Sequence, residues 1–182
     1  MATVTQQTAI PTGVWKADPV HSSVGFAVKH MVVATFRGAF TDFDVTLDNA
    51  DGEPRLYGAV RVGSVDVRDE TLNGHLLSPD FFDAEQTPEI QFTSTDIRTE
   101  GDVLVVDGEL AIKGTTKSVE ARGTIVGPVE NIAGREGVGI ELSTTVDRRD
   151  YGLNWNAKLP KGGFAVEHDV TLNVHLELAK EE

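Results

Sequence analysis

The sequence predicts an all-β fold: a single closed antiparallel barrel of about eight strands with one short helix near residues 70–78. Three observations carry this. Apolar residues alternate with polar ones in about eight short runs, the period-2 signature of strands with one buried face. Brief turn-like stretches, not helices, separate the runs, which excludes a parallel doubly wound sheet and fits a sandwich or barrel. Gly is abundant at 18 residues, as tight turns and strand bends require. Eight strands close into a barrel wide enough for side chains or one slender ligand.

Each element follows from its own residues. Residues 1–13 are polar, lack periodicity and end in Pro-Thr-Gly, so they are expected to form a flexible tail. The rest, 14–182, is expected to be one domain, since 182 residues suffice for a single stable core. Val24, Phe26 and Val28 alternate with Ser23, Gly25 and Ala27, giving a strand with one thin face. The next strand, from about Phe36 to Leu47, changes parity midway. Phe36, Gly38 and Phe40 share one face, and Phe43, Val45 and Leu47 fall on the other, which predicts a bulge or sharp bend. Leu56, Gly58, Val60 and Val62 mark a third strand running to about Val67. Leu72 and Leu76, four apart, with Asp69 as a cap, predict the helix. Pro79 and Pro88 bracket a loop that carries Phe81 and Phe82. Further strands are expected near 89–98, 104–112, 117–125, 138–146 and 166–178, with an irregular stretch at 147–163.

The composition narrows function by exclusion. A formal net charge of −13 repels phosphate backbones, so no nucleic-acid partner is expected, and electrostatic docking on anionic lipid is disfavoured. With no Cys, disulfides, thiolate metal sites and Cys nucleophiles are excluded. The N-terminus has neither a basic region nor an apolar core of the secretory kind, and no apolar run reaches the length of a membrane span, so a cytoplasmic location is expected. The five His form no HxH or HExxH pattern, and neither a metal site nor a cofactor is expected. His175 stands on the polar parity of the last strand and is expected to be exposed. No nucleophile elbow, P-loop or dinucleotide fingerprint is present, so no enzyme activity is expected.

The aromatic distribution is more informative. Six of the eight Phe lie between Phe26 and Phe82. Two arrangements satisfy this pattern. Either the rings fill a solid core, or they line an elongated apolar cavity whose mouth the helix and the Phe81–Phe82 loop cover.

A resemblance adds to this reading. Trp15, Asp18-Pro19-Val20-His21-Ser22, Phe26 and His30 open the chain, followed by Phe36-Arg37-Gly38 and Phe40. Asp69, Leu76, Ser78 through Asp80-Phe81-Phe82-Asp83, Pro88, Phe92 and Ser94 form the middle. Gly108-Glu109-Leu110, Ile112-Lys113-Gly114-Thr115-Thr116-Lys117, Asp147-Arg148 and Tyr151-Gly152 complete the set. In this order, over about Val14 to Leu178, the chain resembles the YceI-like family, the lipocalin-like polyisoprenoid-binding proteins of bacteria. The resemblance implies a lipocalin-like barrel enclosing a long apolar pocket for a polyprenyl phosphate, a quinone tail or another long-chain lipid. It also implies a homodimer, a binding or transport role, and no catalytic residues. Val67–Glu70 lacks the Thr-Gly expected after the third strand, a departure at the pocket mouth. The ligand-binding candidates are His21, Phe26, His30, Phe36, Phe40, Leu76, Phe81, Phe82, Phe92 and Trp155. A polar head would be met by His21, His30, Lys113, Arg148 or Arg149, although the Asp-Arg-Arg-Asp-Tyr-Gly turn reads equally as a salt-bridged structural corner.

Overall fold

The computed structural model describes residues 9–182. Among them, eleven strand segments lie in chain order: β1 (Gly13–Ala17), β2 (Ser23–His30), β3 (Ala34–Phe40), β4 (Phe43–Asn49), β5 (Arg55–Arg61), β6 (Val65–Asp66), β7 (Glu89–Glu100), β8 (Val103–Ile112), β9 (Thr115–Glu130), β10 (Glu136–Asp147) and β11 (Val166–Lys180). One helix, α1 (Glu70–Leu77), precedes β7. Every strand pairing is antiparallel, and β1 pairs with both β4 and β11, which closes the sheet.

The eleven segments are eight long strands, three of them broken. β1 and β2 run along the same partner: Ala17 faces Leu178 and Ser23 faces His175, both on β11. β3 and β4 pair with β2 and β1 in turn. β5 continues through a 3₁₀ turn at Val62–Ser64 into β6. Joined in this way, each long strand lies beside the next in sequence and the last closes on the first. This is the expected eight-stranded barrel with its single short helix.

The parity change between Phe40 and Phe43 comes from a sharp bend, one of the two alternatives expected, and not from a bulge. Thr41 and Asp42 leave the ladder and form a corner. Both backbone N–H groups donate to the Ser64 hydroxyl, at 3.1 and 3.0 Å. The two-residue break resets the alternation, so Phe43 does not face outward as expected. Phe40 and Phe43, 7% and 8% exposed, belong to one interior cluster.

α1 forms where the sequence placed it. The Asp69 carboxylate accepts the Leu72 N–H at 2.8 Å and satisfies one of the donors a helix N-terminus leaves free. Leu76 is the buried anchor. The Phe82 N–H donates to the Leu76 carbonyl at 3.0 Å, and the Thr87 hydroxyl donates to the Phe82 carbonyl at 2.7 Å, so helix and Phe loop form one cap. Of the expected tail, 1–13, residues 1–8 lie outside the described residues. Ile10 and Pro11 are held down: the buried Asn49 amide donates to both carbonyls, at 3.1 and 3.2 Å, and Ile10 packs on the core.

The interior divides into two halves. At the end where β1 closes the barrel, Trp15, Leu47, Leu104, Val106, Val138, Ile140 and Leu178 pack with no room for a water molecule, each at 2% exposure or less. At the end under α1, a second cluster holds Phe43 and, around open space, Phe40, Val60, Leu76, Phe81, Leu110 and Tyr151. No helix among the described residues is long and apolar enough to cross a membrane.

Candidate functional site

Strand alternation builds the site. The inward residues of the paired strands β2 (Val24, Phe26, Val28) and β11 (Val170, Leu172, Val174, Leu176) form one continuous stretch of the wall of a cavity of about 550 Å³. That volume lies within the roughly 300–1,000 Å³ of ligand pockets. Leu56, Ala121, Leu142 and Leu176, shared with the solid half, form its floor. The lining is overwhelmingly apolar, with few polar side chains, among them His30, His75 and Arg148.

Glycines keep the space open. Phe26 faces Gly38 across β2 and β3, and a Cβ at Gly38 would collide with the Phe26 ring and meet Val67 Cγ1 at 2.8 Å. Phe92 lies in the same way against Gly108. Both rings therefore lie along the wall. The thin face expected at Gly25 and Gly58 admits neighbouring backbone: added Cβ atoms would meet the Gly38 carbonyl at 3.0 Å and clash with that of Asp44.

Two aromatic groups frame the cavity. Phe36, Phe26, Phe40 and Phe82 run in series, with neighbouring ring centres 6.4, 5.9 and 5.9 Å apart. Under the cap, His75 stands edge-on to Phe81 at 5.0 Å and to Trp155 at 4.7 Å. A His75 Nε2 contact with Asp80 Oδ2 at 2.9 Å fixes that ring.

Nine of the ten expected residues line the cavity: Phe26, His30, Phe36, Phe40, Leu76, Phe81, Phe82, Phe92 and Trp155. His21 does not. It sits in the break between β1 and β2, where its Nδ1 meets Asp18 Oδ2 at 2.9 Å and 59% of its side chain is exposed. The break points the His outward and satisfies it locally. His175 is exposed, as its parity predicts.

Among the head-group candidates, His30 and Arg148 reach the cavity lining. Lys113 instead donates to the Pro79 carbonyl at 2.7 Å, tying the β8–β9 turn to the cap. Arg149 pairs with Asp147 at 2.6 Å, and that guanidinium holds the Asp147 carboxyl at about 2, below its ordinary 3.8. The salt-bridged corner is thus what the Asp147–Gly152 turn forms. Arg148, 5% exposed, is its unusual member. Its Nε donates to the Glu167 carbonyl at 2.9 Å, and its Nη1 donates to those of Leu153 and Trp155 at 2.6 and 2.9 Å. Burial lowers its pKa from the ordinary range. Sequence reasoning did not assign His75, Leu142, Leu172 or Val174 to the site. For the last three the alternation was visible, but it gives the inward direction without saying which inward residues border space.

A closed, eight-stranded up-and-down barrel with one half solid and the other hollow and apolar belongs to the lipocalin-like class of barrels. Within it, the chain belongs to the YceI-like domain family, whose model matches residues 15–178. A UPF0312 protein of Staphylococcus epidermidis is 32% identical over 169 residues, covering 89% of this chain and 95% of that one. A UPF0312 protein of Photorhabdus laumondii is 30% identical over 157 residues, covering 85% and 80%. Among solved structures, Burkholderia cenocepacia BcnA superposes with a TM-score of 0.75 at 24% identity, covering 88% of this chain and 98% of that chain. A polyisoprenoid binding domain from Saccharophagus degradans superposes with a TM-score of 0.68 at 12% identity, covering 94% and 100%. At these identities the structural likeness establishes the fold.

Proposed function

We propose that the protein binds and carries, or sequesters, the apolar tail of an isoprenoid, such as a polyprenyl phosphate or a quinone, or of a similar long-chain lipid, without a chemical step. The observation that carries this reading is the cavity of about 550 Å³ with an almost wholly apolar wall. Such a wall offers few hydrogen bonds and suits a ligand whose affinity comes from burial, at roughly 0.8 kcal/mol per CH₂. Family membership and the ligand class named for the Saccharophagus degradans domain support the same class here. Nine of the candidate ligand-binding residues lie on the wall; eight of them would meet the tail, and the ninth, His30, the polar head.

Solvent extraction of purified protein followed by mass spectrometry, together with titration of delipidated protein with a prenyl alcohol, tests the proposal. Co-purified long-chain lipid or saturable one-to-one uptake is the expected result. Absence of both extracted lipid and uptake of prenyl or straight-chain amphiphiles would sink it.

A further inference from the structure

The β2–β3 connection breaks two local rules at once. Met31, Val32 and Val33 form its tip, 41%, 65% and 86% exposed, where turns ordinarily place polar residues. Met31 and Val32 also adopt left-handed backbone, with φ of 51° and 68°, which a β-branched residue strongly disfavours and which Asn or Gly would accept without strain. Departures of this kind concentrate where function demands them.

The tip stands at the rim of the cavity. His30 and Met31 are both lining residues, and the Met31 N–H donates to the Ala165 carbonyl at 2.8 Å. Next to that acceptor stands Phe164, 46% exposed. The segment from Lys158 to Phe164, bridged at its two ends, thus flanks the tip and enlarges its apolar surface. Ile132 is more exposed still, but stands alone in a loop with Glu130, Arg135 and Glu136 near it.

Charge separates this rim from the rest of the molecule. The chain has 29 acidic residues, yet none lies in 19–41 or in 151–166, the two stretches that meet here. Lys29, Arg37, Lys158 and Lys161 fall within them, and none of the four makes an ion pair among the described residues, whereas Arg98 and Arg122 are each held by several carboxylates. The net charge of −13 therefore conceals two stretches that are cationic and apolar, bordered at Val166 by the exposed Glu167.

From the exposed apolar tip, its continuity with the cavity and the two acid-free stretches that form it, we propose that Met31–Val33, with Phe164 and the flanking lysines, docks on the surface of a lipid bilayer. This rests on the lipid-binding reading above. The apolar side chains enter the interfacial layer and the cations meet lipid phosphates, which places the cavity rim against the source of its ligand.

Flotation with phosphatidylcholine vesicles, and with vesicles containing one part phosphatidylglycerol in five, tests the docking. Val32→Gly/Val33→Ser removes apolar surface and relaxes the turn, so the variant should fold at least as well. The wild type is expected to float with both vesicles, better with the anionic ones, and the variant to lose roughly tenfold or more in partition coefficient. Lys158→Gln/Lys161→Gln is expected to remove the anionic preference alone. Uptake of N-phenyl-1-naphthylamine without vesicles reads the cavity separately and is expected to be the same in wild type and variants. Failure of that uptake in the wild type would strike at the cavity reading. Intact uptake with no flotation, or equal flotation of wild type and the Val32/Val33 variant, would overturn docking alone. A dimer in sedimentation that the same variant abolishes, with no flotation, would also overturn it, in favour of a second copy covering the tip.

Discussion

Gly38 decides how much room the lumen keeps. With hydrogen in place of a side chain, it lets the Phe26 ring lie flat on the neighbouring strand. Gly38→Ala meets side chains only, so the expected response is rotation of the ring into the cavity rather than strand rupture. Stability is expected to fall by about 1–2 kcal/mol, measured by urea unfolding, and affinity for a long-chain probe several-fold, measured by fluorescence titration. Unchanged affinity at unchanged stability would show that the ring has another resting place. Outside the lumen, His21 and Asp18 make a separate titrating pair. The hydrogen bond to Asp18 raises the His21 pKa above its ordinary 6.5 and lowers that of Asp18 below its ordinary 3.8. The sign follows: the stabilisation from His21 is complete below pH 6.5 and disappears as pH rises through its raised value, while that from Asp18 is complete above pH 3.8 and disappears on acidification. An NMR titration is expected to find the His21 midpoint above 6.5, returning toward 6.5 in Asp18→Asn.

At the scale of elements, breaks and corners carry what periodicity cannot. Alternation correctly grouped Val24, Phe26 and Val28 on one face and placed His175 on the exposed one. It failed at Phe43, because the corner that resets the parity depends on the hydroxyl of Ser64, 23 positions from Thr41. A local pattern has no access to so distant a partner. The Asp147–Gly152 corner was legible as a structural turn from its alternating charges, but the division of labour inside it was not. Arg149 faces its neighbour Asp147, whereas Arg148 turns inward and fastens the Leu153–Glu167 return to the barrel through backbone carbonyls. Arg148→Met would leave those carbonyls without a donor. The expected cost is about 3 kcal/mol or more in denaturant unfolding, with faster amide exchange at Trp155 and Val166. A loss below about 1 kcal/mol would mean that water replaces the guanidinium, and the return loop is not held by it.

On the scale of the whole molecule, the barrel separates stability from capacity along its axis. The closed end holds the packed cluster around Trp15 and Leu178 and, on its outside, the ion-pair network of Arg98 and Arg122 with Asp96, Glu100, Asp107 and Glu120. The capped end holds the cavity. Sequence alone left a solid and a hollow barrel open because both need the same inward residues; the structure contains each in one half. β11 crosses both, so one strand provides the comparison. Leu178, fully buried in the solid half, is expected to cost about 2–5 kcal/mol as Leu178→Ala, with lipid stoichiometry unchanged. Val174, four residues earlier, faces the lumen, and Val174→Trp should obstruct it with little change in the stability of the ligand-free protein. The two variants also differ in their response to ligand. A ligand that binds only the folded state adds about 2.7 kcal/mol at a hundred times its Kd. Leu178→Ala should recover that increment in thermal unfolding with added prenyl alcohol, and Val174→Trp should recover none. If Val174→Trp still gains the increment, the lipid binds outside the cavity, and the hollow half is a packing defect of the barrel rather than its site.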